Sequence, residues 1–102
     1  LKLVMVPGEM IPEILTGGAF DSSVSYNGTD WEFPAMREIV DGHLSAIGLC
    51  NDAIGYIVPD NDFGSVFAPE HYEEAVSAGG KTASNIMSAF MRLLDAAEKI
   101  RY

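Results

Sequence analysis

Two apolar runs in this chain break off at tight turns that carry polar groups. Leu1-Lys2-Leu3-Val4-Met5-Val6 is apolar except for Lys2 and stops at Pro7-Gly8-Glu9. Leu44 to Cys50 is the second run, followed by Asn51-Asp52 and then by Gly55-Tyr56-Ile57-Val58. Apolar runs of this length, bounded by Gly and Pro, read as buried strands. In an α/β protein such strands deliver functional side chains to the rim of a sheet. The predicted fold class is therefore α/β: a mixed sheet of two to four strands with a long C-terminal amphipathic helix, as part of a larger α/β domain.

The intervening segments supply the helices. Glu9 to Thr16 is expected to be a short helix with Pro12 in its first turn and Gly17-Gly18 at its end. Residues 19–33 are polar and turn-rich, with Asn27-Gly28 as a strong turn signal, and read as a surface excursion or a hairpin. Pro34 suits the first position of a second helix, whose apolar stripe is Met36, Ile39 and Val40 and which Gly42 can close. Tyr56 to Val58 reads as a short third strand stopped by Pro59, and residues 59–70 as a loop. In the last helix, Ala83, Ile86, Met87, Phe90, Leu94 and Ala97 recur at helical spacing and form one apolar face. Lys99 and Arg101 sit where cations suit a helix C-terminus.

With 102 residues, of which 48% are hydrophobic, the chain has material for one modest core and is read as a single domain over residues 1–102. Its formal net charge of -9 repels phosphate backbones and anionic headgroups, so no nucleic acid is expected as a partner. Cys50 is the only cysteine, which excludes an intrachain disulfide, and its apolar context reads as that of a buried small hydrophobe. No apolar stretch is long enough to span a bilayer, and no signal-peptide pattern is visible. The chain opens on Leu1 inside an apparent strand, which is expected of a piece of a longer polypeptide.

Several local patterns carry chemistry on paper. Ala75-Val76-Ser77-Ala78-Gly79-Gly80-Lys81-Thr82 fits a relaxed phosphate-loop pattern, but the acidic residues before it do not read as a strand; the plainer reading is a Gly pair that starts the last helix. Asp60-Asn61-Asp62-Phe63-Gly64 alternates oxygen ligands as calcium loops do, yet Phe63 breaks the third oxygen position, so an Asx-turn loop is the plainer reading. His43 and His71 are the only histidines and neither has a partner one helical turn away, as metal-binding helices usually do. Glu9 follows Pro-Gly directly after a strand and can either reach a metal or catalytic water, or stabilise a helix N-terminus. Tyr56, after Gly55, fits either a half-buried core aromatic or a phenol directed into a site.

Taken in order, Leu3-Val4-Met5-Val6-Pro7-Gly8-Glu9, Ile47-Gly48-Leu49-Cys50-Asn51, Gly55-Tyr56-Ile57, Tyr72-Glu73 and the helix from Thr82 to Ala96 resemble the C-terminal part of the catalytic domain of the neutral/alkaline (non-lysosomal) ceramidase-like family. The resemblance implies that Glu9 and Tyr56 are zinc ligands, that Tyr56 also lies beside the scissile amide as a catalytic group, and that Tyr72 lines the substrate site. It implies zinc-assisted hydrolysis of an N-acyl amide, of ceramide or a related lipid-like substrate. A zinc-bound water ionises near neutral pH, and a phenol can donate a hydrogen bond to the tetrahedral oxyanion. The family's zinc histidines come from upstream sequence, and His43 and His71 do not match their contexts. The implied partner is thus an upstream part of the same polypeptide, or a second chain, that supplies His ligands. The isolated chain is expected to be inert, and self-association is expected because part of the core would lie open.

Two other function classes stand beside this one. An acidic module that binds a protein partner would use the opening strand and Met87 and Met91 as contact surface. A nucleotide-binding module would use Lys81-Thr82. The amidase reading requires Glu9 and Tyr56 to lie together in space.

Overall fold

The computed structural model describes residues 2–19, 21–40, 43–50, 53–64 and 76–99. Strand β1 is Lys2–Met5 and β2 is Glu9–Met10; α1 spans Pro12–Thr16 and α2 Met36–Ile39. Strand β3 is Leu44–Ile47, β4 is Tyr56–Ile57, a 3-10 turn covers Asp60–Asp62, and α3 is Thr82–Lys99. The chain is α/β with a long C-terminal helix, and among the described residues four strands form two parallel pairs, β1 with β3 and β2 with β4.

Glu9 and Met10, expected within a helix, are instead a strand. The Glu9 N–H donates to the Gly55 carbonyl at 2.9 Å and the Ile11 N–H to the Ile57 carbonyl at 3.1 Å, so the backbone is committed to a ladder before a helix can start. Helix α1 begins only at Pro12, whose fixed φ suits a first turn. Gly17, at φ 100°, ends it by donating its N–H to the Glu13 carbonyl at 2.8 Å.

The β1–β3 pair, expected to be buried, is covered on one face only. Lys2 pairs with Leu44 and Val4 with Ala46, while Leu3 pairs with Ser45 and Met5 with Ile47. Leu44 is buried and Val4 packs against the core. The alternate set faces outward, with Leu3 51%, Met5 62% and Ile47 45% exposed. A two-stranded sheet has two faces, and the neighbouring elements cover one. Cys50 is half-buried rather than buried, with its thiol 3.4 Å from the Ile47 carbonyl.

The core gathers Val6, just after β1, Ile14 of α1, Met36 and the following Val40 at α2, Leu44 of β3, Ile57 of β4, and Ala83 and Met87 of α3. Helix α3 contributes Ala83 and Met87 to the core, with Ile86, Phe90 and Leu94 packed partly against it; this is the apolar face expected from the sequence except for Ala97, which is exposed. Burying a side chain the size of Met87 stabilises the fold by roughly 1.5–3 kcal/mol. Residues 21–33 form turns that fold back on the 3-10 turn. The Tyr26 N–H donates to Asp62 Oδ1 at 2.9 Å, and Asn27 Nδ2 donates to the carbonyls of Asp60 and Phe63 at 3.0 and 3.2 Å. Trp31 and Phe33 then pack against the core, ring centroids 5.2 Å apart. Among the described residues, no helix is long and apolar enough to cross a membrane.

Candidate functional site at the β2–β4 rim

Glu9 and Tyr56 are direct partners across the parallel β2–β4 pair, and Met10 is the partner of Ile57. Neighbouring strands lie ~4.8 Å apart, and side chains at paired positions leave the same face of a sheet. Ile57 is fully buried, so the Met10–Ile57 side faces the core. Glu9 and Tyr56 take the opposite side, Glu9 exposed and Tyr56 half-buried. Two residues far apart in sequence thus share one register position of the sheet.

Close backbone packing holds this pair in register. The Pro7-Gly8 turn lies between two segments: the Ile54 N–H donates to the Pro7 carbonyl at 3.0 Å, and the Leu49 N–H donates to the Gly8 carbonyl at 3.1 Å. A Cβ on Gly8 would overlap the Gly55 carbonyl oxygen and approach Ile54 at 3.0 Å. Gly55 has φ +91°, a left-handed value that glycine adopts at no steric cost, and a Cβ there would lie 2.8 Å from the Val76 carbonyl carbon. That approach lets the Tyr56 N–H donate to the Val76 carbonyl at 3.1 Å while Tyr56 bridges Ser77 in parallel. Tyr56 is therefore held from both sides by backbone.

Glu9 also borders a cavity of about 470 Å³ whose lining includes Val6, Met10, Pro12, Leu15 and Leu49. The side chains of its lining residues are apolar apart from Glu9. An apolar cavity with one or two fixed polar groups is the usual form of a small-molecule site.

The remaining sequence candidates fall elsewhere. Asp60 is engaged with the start of α3: its Oδ1 accepts the Ser84 N–H at 3.1 Å and its Oδ2 accepts the Ser84 hydroxyl. A carboxylate thus already satisfies a free N–H at the start of the helix, where a nucleotide phosphate would have to sit. Lys81 lines a cavity with Asp30, Glu32 and Asp60. In the Asp60–Gly64 segment, Asp62 accepts from Tyr26 and Asn61 Nδ2 donates to the Thr29 carbonyl at 2.9 Å, so these side chains tie the 21–33 excursion down. His43 is exposed, and its carbonyl accepts the Lys2 N–H at 2.9 Å. Tyr72 and His71 lie outside the described residues.

Zinc sites in proteins use three or four protein ligands. Among the described residues, no group of three or more His, Cys, Asp and Glu side chains is placed to hold a metal. Glu9 and Tyr56 can contribute two oxygen donors, which is an incomplete ligand set without donors from elsewhere.

Comparison of the chain with protein-family models, with curated proteins and with solved structures returns no match.

Proposed function

We propose that this chain supplies Glu9 and Tyr56 to a zinc-dependent amidohydrolase that cleaves N-acyl amides, ceramide or a related lipid-like substrate, in the manner of the ceramidase-like family it resembles. The observation that carries the reading is the pairing of Glu9 with Tyr56 across β2 and β4. In this proposal the missing ligands are histidines from an upstream part of the polypeptide or from a second chain. The bound metal would supply an ionised water and polarise the amide carbonyl. Tyr56 would donate a hydrogen bond from its phenol O–H to the developing oxyanion, and the Glu9 carboxylate would contribute an oxygen ligand to the metal. The apolar cavity next to Glu9 suits an acyl chain. Tyr72 is assigned to the substrate site by the resemblance alone.

A second reading is an acidic module that binds a protein or serves a structural role without catalysis. The outward row of Leu3, Met5 and Ile47, continued by exposed Leu49, favours it. Contiguous apolar surface of this kind marks sites of association. The same row would equally be covered by the rest of a larger α/β domain.

The test is the native mass and zinc content of the protein isolated from its source, followed by assay on N-acyl amides. Zinc together with a His-bearing polypeptide, and hydrolysis that falls at least a hundredfold in Glu9→Gln and in Tyr56→Phe, is the expected result. A zinc-free species composed of this chain alone would leave the second reading in place.

A further inference from the structure

Asn27 stands directly before Gly28, and none of the other asparagines, Asn51, Asn61 and Asn85, precedes a glycine. Asparagine is a chemically labile residue, and a following glycine makes it most so, because no Cβ hinders the approach of the glycine nitrogen to the asparagine Cγ. The fold leaves room for that ring to close. Gly28 has φ +68°, and nothing lies within 4 Å of where its Cβ would stand. Asn27 and its neighbours Tyr26, Gly28 and Thr29 are all exposed.

The same amide ties two distant segments together. Asn27 Nδ2 donates to the carbonyls of Asp60 and Phe63 at 3.0 and 3.2 Å, and the Asn27 N–H donates to the Asn61 carbonyl at 3.0 Å. The Gly28 N–H is engaged as well, donating to the Ser25 carbonyl at 3.2 Å. The group that must leave and the nitrogen that must attack are therefore both held in the folded chain. Local opening of an exposed turn frees them together.

We propose that Asn27 is a self-modification site, whose deamidation is held back by these contacts and, once complete, releases the 21–33 excursion from the 3-10 turn. In the first step hydroxide takes the Gly28 amide proton and the Gly28 nitrogen bonds to Asn27 Cγ. The Cγ–Nδ2 bond breaks, and the nitrogen leaves as ammonia with a proton returned from water. Water then opens the cyclic imide. Attack at Cγ gives aspartate, and attack at the backbone carbonyl carbon of residue 27 gives isoaspartate. Either product replaces a double donor by a carboxylate, which only accepts, facing two carbonyl oxygens. It also adds a negative charge to a contact that already holds Asp60 and Asp62. The proposal rests on no part of the zinc reading.

The test is to hold the full chain in mildly alkaline buffer, folded and in urea, and to follow the amide-to-acid mass gain at each asparagine by peptide mapping. In urea, Asn27 is expected to convert at least tenfold faster than Asn51, Asn61 and Asn85, and at least tenfold faster than it does in the folded chain. Gly28→Ala is expected to slow the conversion in urea at least tenfold, a comparison that does not depend on folding. The converted protein, separated by its added negative charge, and Asn27→Asp are both expected to unfold at lower urea than wild type, with Trp31 emission shifted to the red. Conversion of Asn27 no faster than that of the other three in urea overturns the proposal. So do equal rates at Asn27 in the folded and unfolded chain, or a wild-type urea midpoint in Asn27→Asp.

Discussion

Replacing Gly55 by Ala tests how the Glu9–Tyr56 pair is held. Gly55 has φ +91°, and an added Cβ would overlap the Val76 carbonyl oxygen and stand 2.8 Å from its carbon and 3.3 Å from the Ser77 Cα. The left-handed conformation costs an Ala about 1–2 kcal/mol. The overlap is with backbone on a neighbouring segment, which cannot rotate away as a side-chain tip could. Relief therefore requires the Tyr56 N–H to Val76 bond at 3.1 Å to open, and it strains the Glu9 N–H to Gly55 bond at 2.9 Å. Each such bond contributes about 1 kcal/mol net. The expected destabilisation is about 3–4 kcal/mol, a large part of the 5–15 kcal/mol typical of a domain. Gly28→Ala is the control, because Gly28 has φ +68° with nothing within 4 Å of the added methyl, leaving only the conformational cost. Urea unfolding followed by Trp31 fluorescence measures both. Equal destabilisation of the two variants, within about 0.5 kcal/mol, would refute the argument that backbone approach at Gly55 sets the strand spacing.

Two further outcomes follow from the packing and the charges. Met87→Ala, at a fully buried position, is expected to cost about 2–5 kcal/mol in urea unfolding, whereas Leu93→Ala, at a position 71% exposed, should stay within about 0.5 kcal/mol. Hydrogen bonds from the Ser23 hydroxyl and the Ser23 N–H hold the Asp21 carboxyl below the usual carboxylate range. A lowered folded-state value means that this contribution is fully present above the ordinary carboxylate pKa and is lost as pH falls through the folded value. Carbon-detected titration of Asp21 should therefore show a depressed midpoint that Ser23→Ala moves upward; an unchanged midpoint in the variant would reject the assignment.

The last helix is the most legible element, because Ala83, Ile86, Met87, Phe90 and Leu94 repeat at helical spacing and pack on the core, although Met91, Leu93 and Ala97 are exposed. The opening strand is legible as a strand but not in its exposure. Leu3, Met5 and Ile47 are apolar on the outward face, so the run carries no polar alternation to mark that face. The start of α1 is ambiguous in sequence because Glu9 after Pro-Gly suits both a helix N-terminus and a strand. Hydrogen bonds to Gly55 and Ile57, distant in sequence, decide for the strand. The Glu9–Tyr56 candidates come from order and resemblance; their register depends on strand pairing, which no local pattern encodes.

Glu9 and Tyr56 are proposed to serve one metal ion. Zinc retention should be measured in the protein isolated from its source, as wild type, Glu9→Gln, Tyr56→Phe and the double variant, by titration with a competing chelator. Ligands of one ion are coupled, so each single variant is expected to weaken zinc binding at least tenfold, and the double variant much less than the product of the two. Wild-type affinity in both single variants would contradict the claim and leave the carboxylate and the phenol as neighbours without a shared metal.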